Sequence, residues 1–209
     1  MNKKLSEHAG ELNEETVDRN PIAQFQKWFA DAVATGMHLP EAMTLATATK
    51  DGRPTARLVL LKNVNDDGFV FYTNYRSAKA RELDENPFAA LVFYWPQLDR
   101  QVRVDGSVSR VSGRESDEYF QTRPRGSQLG ALASPQSEVI ASRDVLEERF
   151  QELERQYEGQ VIDRPEHWGG YRLKPERIEF WKSRPGRLHD RILFERQPDG
   201  SWSIKRLAP

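Results

Sequence analysis

The sequence predicts a fold that is mainly β with peripheral helices (α+β), built around an antiparallel barrel. Two observations lead to this prediction. Short strand candidates follow one another at hairpin spacing, separated by turn signals such as Asp51-Gly52 and Asp67-Gly68. Helical segments are inserted between these strands and do not alternate with them one by one, as they would in a parallel α/β sheet.

The first half of the chain predicts one long helix followed by five strands. Asn20 and Pro21 are typical of an N-cap and a first helical position, and apolar residues recur at spacings of three and four until Gly36. Between the later strands, residues 77–85 predict a short helix that Asn86-Pro87 ends. The predicted strands of this half span residues 43–49, 55–61, 69–73, 88–95 and 100–109.

The second half predicts two further helices and four short strands. Ser112, with Glu115 three residues later, is a capping-box pattern, and Pro124 must end the helix that it opens. On this helix Tyr119 and Arg123 lie one turn apart, on the same face. The remaining predicted elements are a turn-rich connection at 126–135, an amphipathic helix at 142–157, and strands at 171–173, 178–181, 191–195 and 202–207.

The composition restricts the classes of function. The chain of 209 residues carries 31 basic and 32 acidic side chains, so no overall field favours nucleic acid or an anionic membrane, and any anion site must be local. The absence of cysteine excludes disulfides, thiolate catalysis and cysteine-ligated metals, and is typical of a protein of the reducing cytoplasm. The four histidines, at positions 8, 38, 167 and 189, are too scattered to predict a metal site.

The N-terminal segment differs from the rest in composition. Residues 1–18 are polar and acidic with no apolar core, unlike a signal peptide or a transit peptide. We predict a flexible arm at 1–18 and a single domain at 19–209. No run of about 18 apolar residues occurs, so the sequence predicts no membrane span, and we expect a cytoplasmic protein.

The stretch Arg57-Leu-Val-Leu-Leu-Lys62 combines a predicted buried strand with a cation at each end. The chain has no glycine-rich phosphate loop, so a phosphate would have to be held by side chains such as Arg, Lys, Ser and Tyr. The candidates form two groups along the sequence: Arg57, Lys79 and Ser137, and then Lys62, Tyr119, Arg123 and Ser127. For any single cation a surface salt bridge is the simpler explanation, so these residues alone predict a barrel with candidate anion sites.

Taken together, the residues resemble the pyridoxine/pyridoxamine 5'-phosphate oxidase family, whose flavin-dependent members make pyridoxal 5'-phosphate. The resemblance runs from Asn20 to Pro209 and rests on seven segments in order. These are Arg57-Leu-Val-Leu-Leu-Lys62, Tyr72-Thr-Asn74, Arg100-Gln-Val102, Arg123-Pro-Arg-Gly-Ser127, Ala133-Ser-Pro-Gln-Ser137, Phe180-Trp181 and Arg187-Leu-His-Asp-Arg191.

The resemblance implies an antiparallel split β-barrel that binds FMN at the interface of a homodimer, with no metal. The FMN-binding residues that it implies are Arg57, Leu58, Val59, Leu60, Leu61, Lys62, Tyr72, Thr73, Lys79, Gln101, Gln136, Ser137, Trp181 and Arg191. The substrate-binding residues that it implies are Lys62, Tyr119, Arg123 and Ser127 for the phosphate, and Arg187 and His189 over the pyridine ring. Arg187 and His189 are also the implied catalytic residues.

The implied reaction oxidises pyridoxine 5'-phosphate or pyridoxamine 5'-phosphate by hydride transfer from C4' to flavin N5, with O2 as electron acceptor and H2O2 as product. Arg187 would stabilise charge during this oxidation. Two alternatives share the fold: a phenazine-biosynthesis FMN oxidase, which needs no substrate-phosphate site, and a flavin-binding protein without turnover.

The chain departs from the family pattern at two places. Ala78 stands where the family usually has an arginine on the FMN phosphate, and we hypothesise that Arg76 replaces it. The segment before Asp18 also lacks an Arg/Tyr motif that some members fold over the substrate.

Overall fold

The computed structural model describes residues 12–209 and shows them as one nine-stranded sheet with five α-helices. The strands are β1 (Ala42–Ala48), β2 (Pro54–Leu60), β3 (Asn63–Asn65), β4 (Gly68–Asn74), β5 (Phe88–Trp95), β6 (Arg100–Arg110), β7 (Trp168–Lys182), β8 (Asp190–Arg196) and β9 (Trp202–Arg206). The helices are α1 (Pro21–Ala34), α2 (Ala78–Glu85), α3 (Gly113–Thr122), α4 (Arg125–Ala133) and α5 (Arg143–Gln156).

Every strand pair in the sheet is antiparallel, in the order β2-β1-β5-β6-β7-β4-β3. β7 is the branch point, because β6 pairs along one edge while β4 and β8 share the other. Residues 168–173 of β7 pair with β4, and residues 177–182 pair with β8, which in turn pairs with β9. The branch makes the sheet a curled half-barrel, and the predicted antiparallel split barrel is confirmed.

The pairing of β6 with β7 changes register between Asp105 and Gly106. A Cβ atom on Gly106 would lie 2.0 Å from the carbonyl oxygen of Lys174, closer than any side chain could approach. Glycine therefore permits the tight contact between the two longest strands at this bulge.

The main core lies between the sheet and α1. Asn20 caps this helix by accepting a hydrogen bond from the Ile22 amide at 2.8 Å, as its sequence predicts. The fully buried Phe25 ring lies 4.9 Å from the rings of both Phe69 and Phe93 in an aromatic cluster.

A second apolar cluster joins α3, α4 and α5 to the start of β7. Its buried members are Phe120, Leu129, Leu153, Ile162 and Trp168. This cluster holds the helices against one face of the sheet, and the candidate site lies along that junction.

The structure differs from the predicted elements at three places. The turn-rich connection at 126–135 is the helix α4, because the burial of Leu129 stabilises a segment whose small residues favour turns. The two short strands at 171–173 and 178–181 are one strand, since β6 pairs with both halves of it. The three-residue strand β3 was not predicted.

Residues 12–18 also differ from the flexible arm expected at 1–18. Leu12 and Val17 are buried in the main core, and Arg206 donates a hydrogen bond to the carboxylate of Glu14 at 2.8 Å. Burial of these two apolar residues and the contact with Arg206 together anchor the segment. The rest of the expected arm, residues 1–11, lies outside the described residues. Within residues 12–209, no helix combines the length and apolar character that a membrane crossing requires.

Candidate functional site

A cleft of about 740 Å³ lies between β2, β4 and the α3–α4 helices. This volume suits a small-molecule site. The predicted site residues that line it are Arg57, Leu58, Val59, Leu60, Lys62, Tyr72, Thr73, Lys79, Tyr119, Arg123, Ser127 and Gln136. The structure therefore brings both predicted cation groups to one cleft.

Arg57 lies in β2, and its guanidinium bonds to groups of both strands of the β1–β2 hairpin. Nη1 donates to the carbonyl oxygen of Leu45 at 3.3 Å and to the hydroxyl of Thr47. Nη2 donates to the hydroxyl of Thr55 and, at 3.3 Å, to Oε2 of Glu82. The first candidate phosphate-binding arginine is thus held in a defined position.

Glu82, on α2, is a buried carboxylate that the sequence reasoning did not single out. Its Oε2 accepts hydrogen bonds from the hydroxyls of Thr47 and, at 2.6 Å, Thr55. Burial alone would raise the pKa of Glu82, but the hydroxyl donors and Arg57 outweigh burial and lower that pKa. Glu82 is therefore a negative charge beside the candidate phosphate site.

Lys79 is the second cation of this group and is 8% exposed. Its Nζ donates to Oγ1 of Thr73 at 3.3 Å, to Oγ of Ser77 at 3.2 Å and to Oε1 of Gln136 at 3.2 Å. Burial first, and then the charge of Arg57, lower the pKa of Lys79 to about 8, while Glu82 acts in the opposite direction. The site thus holds a buried ammonium that an anion would stabilise.

Arg123 belongs to the second cation group and is half-buried at the end of α3. Its guanidinium lies over the ring of Trp168, 4.4 Å from the centroid. Its Nη1 is buried and has no hydrogen-bond acceptor among residues 12–209. Burial lowers the pKa of Arg123, and Tyr119 acts against this. A buried guanidinium nitrogen without an acceptor fits an anionic ligand in the cleft.

Three aromatic rings form a stack in the wall of the cleft. The Tyr72 ring lies 4.0 Å from that of Tyr119 and 5.4 Å from that of Trp168, measured between centroids. Burial, followed by the charge of Glu115, raises the pKa of Tyr72 to about 12, and burial also raises the pKa of Tyr119. Both phenols therefore remain neutral hydrogen-bond donors near neutral pH.

Five predicted residues do not line this cleft: Gln101, Trp181, Arg187, His189 and Arg191, which we call the C-terminal group. Strand pairing sets Gln101 beside Trp181 and Trp181 beside Arg191, and the His189 ring lies 4.7 Å from the Trp181 ring. Arg191 is bound to the buried carboxylate of Glu179 through two bonds of 2.8 and 3.1 Å. The structure thus brings four of these residues together, and Arg187 lies in the turn two residues before His189.

Arg187 stands apart in its backbone conformation. It is exposed and has a φ of 63°, in the left-handed region that residues other than glycine seldom adopt. Such strained positions concentrate at functional sites.

Three other predicted residues do not reach the cleft. Leu61 is buried at 6% exposure, and its amide donates to the Glu41 carbonyl at 2.9 Å. Ser137 follows the cleft residue Gln136 with a φ of 73° and is exposed. Arg76 is exposed as well and does not line the cleft, so the geometry adds no support to its replacing an arginine at Ala78.

Several residues of the site were not predicted from the sequence, chiefly Glu82, Thr47, Thr55 and Trp168. Thr47 and Thr55 are register partners in the β1–β2 hairpin, so the Asp51-Gly52 turn was a signal that could have paired them. No local signal links Glu82 or Trp168 to the cations that they contact.

A curled half-barrel whose cleft carries two groups of cations defines a class, the split-barrel proteins equipped to bind anionic ligands. Residues 29–157 match the family model described as pyridoxamine 5'-phosphate oxidase. Residues 168–209 match the model described as pyridoxine 5'-phosphate oxidase C-terminal dimerisation region. The chain belongs to the pyridoxamine 5'-phosphate oxidase family.

Two curated relatives are similar over nearly the whole chain. The pyridoxine/pyridoxamine 5'-phosphate oxidase of Trichormus variabilis is 57% identical over 198 residues, covering 95% of this chain and 92% of that protein. The protein of the same name from Rubrobacter xylanophilus is 58% identical, covering 95% and 91%.

One solved structure shares the fold closely. PhzG from Burkholderia lata 383, crystallised in complex with tetrahydrophenazine-1-carboxylic acid, matches with a TM-score of 0.89 and 31% identity. The match covers 95% of this chain and 98% of that chain.

Proposed function

We propose that this protein is an FMN-dependent oxidase that converts pyridoxine 5'-phosphate or pyridoxamine 5'-phosphate to pyridoxal 5'-phosphate. The observation that carries the proposal is the pair of cation groups in one cleft, Arg57 with Lys79 and Lys62 with Arg123. A phosphorylated cofactor and a phosphorylated substrate together need two such groups. The 57% and 58% identity to relatives named for this activity supports the choice of substrate.

The cofactor side of the cleft would be the part formed by β2, β4 and α2. Arg57 and Lys79 would hold the FMN phosphate, together with Ser137 and Gln136. The backbone of Leu58, Val59, Leu60, Leu61, Tyr72 and Thr73 would line the remainder, beside Lys62. The donor set supports this fit, because the buried Lys79 and the partly buried Arg57, with hydroxyl and amide neighbours, suit a phosphate and a polyol chain.

The substrate side would be the part next to α3 and α4. Lys62, Tyr119, Arg123 and Ser127 would hold the substrate phosphate. The buried Nη1 of Arg123 supports this role, since a phosphate oxygen would supply the acceptor that residues 12–209 do not provide.

FMN bound on the cofactor side would supply the redox chemistry, with its N5 as acceptor of the hydride from C4' of the substrate and O2 as the final electron acceptor, reduced to H2O2. The protein would orient the substrate by its phosphate so that C4' is held in place. Arg187 and His189 would cover the pyridine ring, and the Arg187 cation would stabilise charge as the alcohol or amine is oxidised.

We further propose that the working unit is a homodimer in the cytoplasm. The C-terminal group lies outside the cleft of its own chain and within or beside the matched dimerisation region, 168–209. A second copy would supply Gln101, Trp181, Arg187, His189 and Arg191 to complete the cleft. Leu58 and Tyr94, which are 72% and 58% exposed, are apolar surface that a partner could cover. The cysteine-free sequence supports the location.

The similarity to PhzG raises a second candidate, an oxidase of phenazine precursors. Lys62 and Arg123 disfavour it, because they equip the cleft for a substrate phosphate that such a precursor does not carry.

The decisive test is to mix the FMN-loaded protein with pyridoxine 5'-phosphate without oxygen and to measure the visible absorbance of the flavin. We expect bleaching that returns when oxygen is admitted, together with formation of pyridoxal 5'-phosphate. A flavin that stays oxidised with both this substrate and pyridoxamine 5'-phosphate would contradict the proposal, and bleaching by tetrahydrophenazine-1-carboxylic acid would favour the second candidate.

A further inference from the structure

The cofactor side of the cleft contains a carboxylate where an anion is to bind. Oε2 of Glu82 lies 3.3 Å from Nη2 of Arg57, and Glu82 is only 9% exposed. A fixed negative charge next to a phosphate site repels the phosphate and weakens its binding. The carboxylate must therefore contribute something else that offsets this repulsion. The hydrogen bonds around Glu82 indicate what that contribution is.

A count of hydrogens shows how fully Arg57 is held. A guanidinium has five N–H groups, of which four belong to Nη1 and Nη2. Those four have acceptors: Leu45 and Thr47 for Nη1, and Thr55 and Glu82 for Nη2. Among the hydrogen bonds of residues 12–209, Nε–H is the one donor of Arg57 that remains for a ligand.

The two threonines connect the cation to the acid. A hydroxyl has one hydrogen, and both Thr47 and Thr55 donate theirs to Oε2 of Glu82. Each hydroxyl oxygen therefore has lone pairs directed to accept from Arg57. Without the carboxylate, the two hydroxyls would be free to rotate, and the guanidinium would lose both its direct partner and the fixed orientation of the other two.

We propose, resting on the function proposed above, that Glu82 is a positioning residue of the cofactor-phosphate site. Through Thr47 and Thr55 its carboxylate holds the Arg57 guanidinium in one orientation at the wall of the cleft, with Nε–H and the positive charge available to the phosphate. A preformed cation loses less side-chain freedom on binding, and this gain exceeds the repulsion between carboxylate and phosphate.

The test compares FMN with riboflavin, which lacks the phosphate, by titrating flavin-free full-length protein and following flavin fluorescence. Glu82→Gln keeps the shape and an acceptor oxygen but removes the charge. We expect it to weaken FMN binding roughly tenfold while riboflavin binding changes less than about twofold. Thr47→Val and Thr55→Val each remove a hydroxyl but keep a β-branched side chain that favours a strand. Each should weaken FMN binding roughly threefold.

The matched control is Glu85→Gln, at an exposed acid of the same helix, which should change neither affinity. An Arg57→Lys background keeps the positive charge but lacks the planar guanidinium that Glu82 orients. In this background Glu82→Gln should no longer weaken FMN binding.

Each contrary outcome has its own meaning. Unchanged or tighter FMN binding in Glu82→Gln would overturn the inference, since repulsion would then dominate. An equal loss of FMN and riboflavin would overturn it as well, because that is the signature of a merely structural role. A wild-type protein that binds FMN no better than riboflavin would instead refute the proposed phosphate site itself, and the inference with it.

Discussion

Lys79 shows how burial of a single residue makes binding depend on pH. Its pKa is lowered to about 8 from a model-compound value of 10.5, chiefly by burial. A phosphate beside Nζ would favour the charged form and raise this pKa, so binding would take up a proton above about pH 8. The affinity for FMN should therefore be nearly constant between about pH 7 and pH 8 and fall above pH 8, by up to tenfold per pH unit.

This prediction is checked by titrating flavin-free protein with FMN between about pH 7 and pH 9.5, with riboflavin as the control ligand. In Lys79→Arg the guanidinium stays charged throughout this range, and the profile should become flat. An FMN affinity that does not change with pH in the wild type would show that Lys79 does not meet the phosphate.

Arg187 allows a second prediction at the same scale. Because we place this cation over the substrate ring and away from the cofactor phosphate, Arg187→Leu should lower kcat by roughly 10²-fold or more and FMN affinity by less than about twofold. Steady-state kinetics and FMN titration measure the two quantities. Arg177→Leu, at an exposed arginine of β7, is the control and should leave both unchanged. Unaltered turnover in Arg187→Leu with FMN bound would remove this residue from the mechanism.

At the scale of elements, the helices α3 and α4 matter because they set the substrate side of the cleft against β4 and β7. Trp168 opens β7 and belongs to the cluster that packs these helices on the sheet. The same ring supports the Arg123 guanidinium at 4.4 Å. One residue thus links the packing of a helix pair to the position of a candidate phosphate ligand.

Trp168→Leu should therefore raise the KM for the phosphorylated substrate about three- to tenfold, the usual range for a lost cation–π contact, with FMN affinity nearly unchanged. Trp168→Phe should recover part of the loss, because a ring remains. The matched control is Trp202→Leu, which removes a ring beside Arg196 at 5.9 Å outside the cleft. A KM equal to that of the wild type, with the thermal midpoint unchanged, would refute this role for Trp168.

For the whole molecule, the central fact is that one chain places most of its predicted site residues in two separate regions. The cleft holds both predicted cation groups, and the C-terminal group lies on β6, β7, β8 and the turn before β8. If a partner completes the cleft, FMN binding and dimerisation must be thermodynamically linked.

Dilution that yields monomers should therefore release FMN, and added FMN should shift the equilibrium back to dimers. Sedimentation velocity followed at a flavin wavelength and at 280 nm measures which species carries the cofactor. A monomer that sediments with FMN at full occupancy would contradict the shared site.

Much of the fold followed from local signals in the sequence. The capped helix α1, the β1–β2 hairpin, β5, β6 and the β8–β9 hairpin lie close to their predicted bounds, since caps, turns and apolar periodicity act over a few residues. Local signals failed at α4, where the burial of Leu129 stabilises a helix in place of the predicted turns. They failed also at β7, where pairing with β6 joins two predicted strands into one. They also failed at residues 12–18, which contacts with Arg206 anchor.

The same division applies to the site. The sequence by itself determined which cations and hydroxyls are present and, through seven ordered segments, which family they resemble. Only the tertiary structure decided that both cation groups share one cleft, that Glu82 holds Arg57, and that the C-terminal group lies elsewhere. The physical reason is distance along the chain: Arg57 and Glu82, or Arg123 and Trp168, meet only after the sheet has formed, and no periodicity records such a contact.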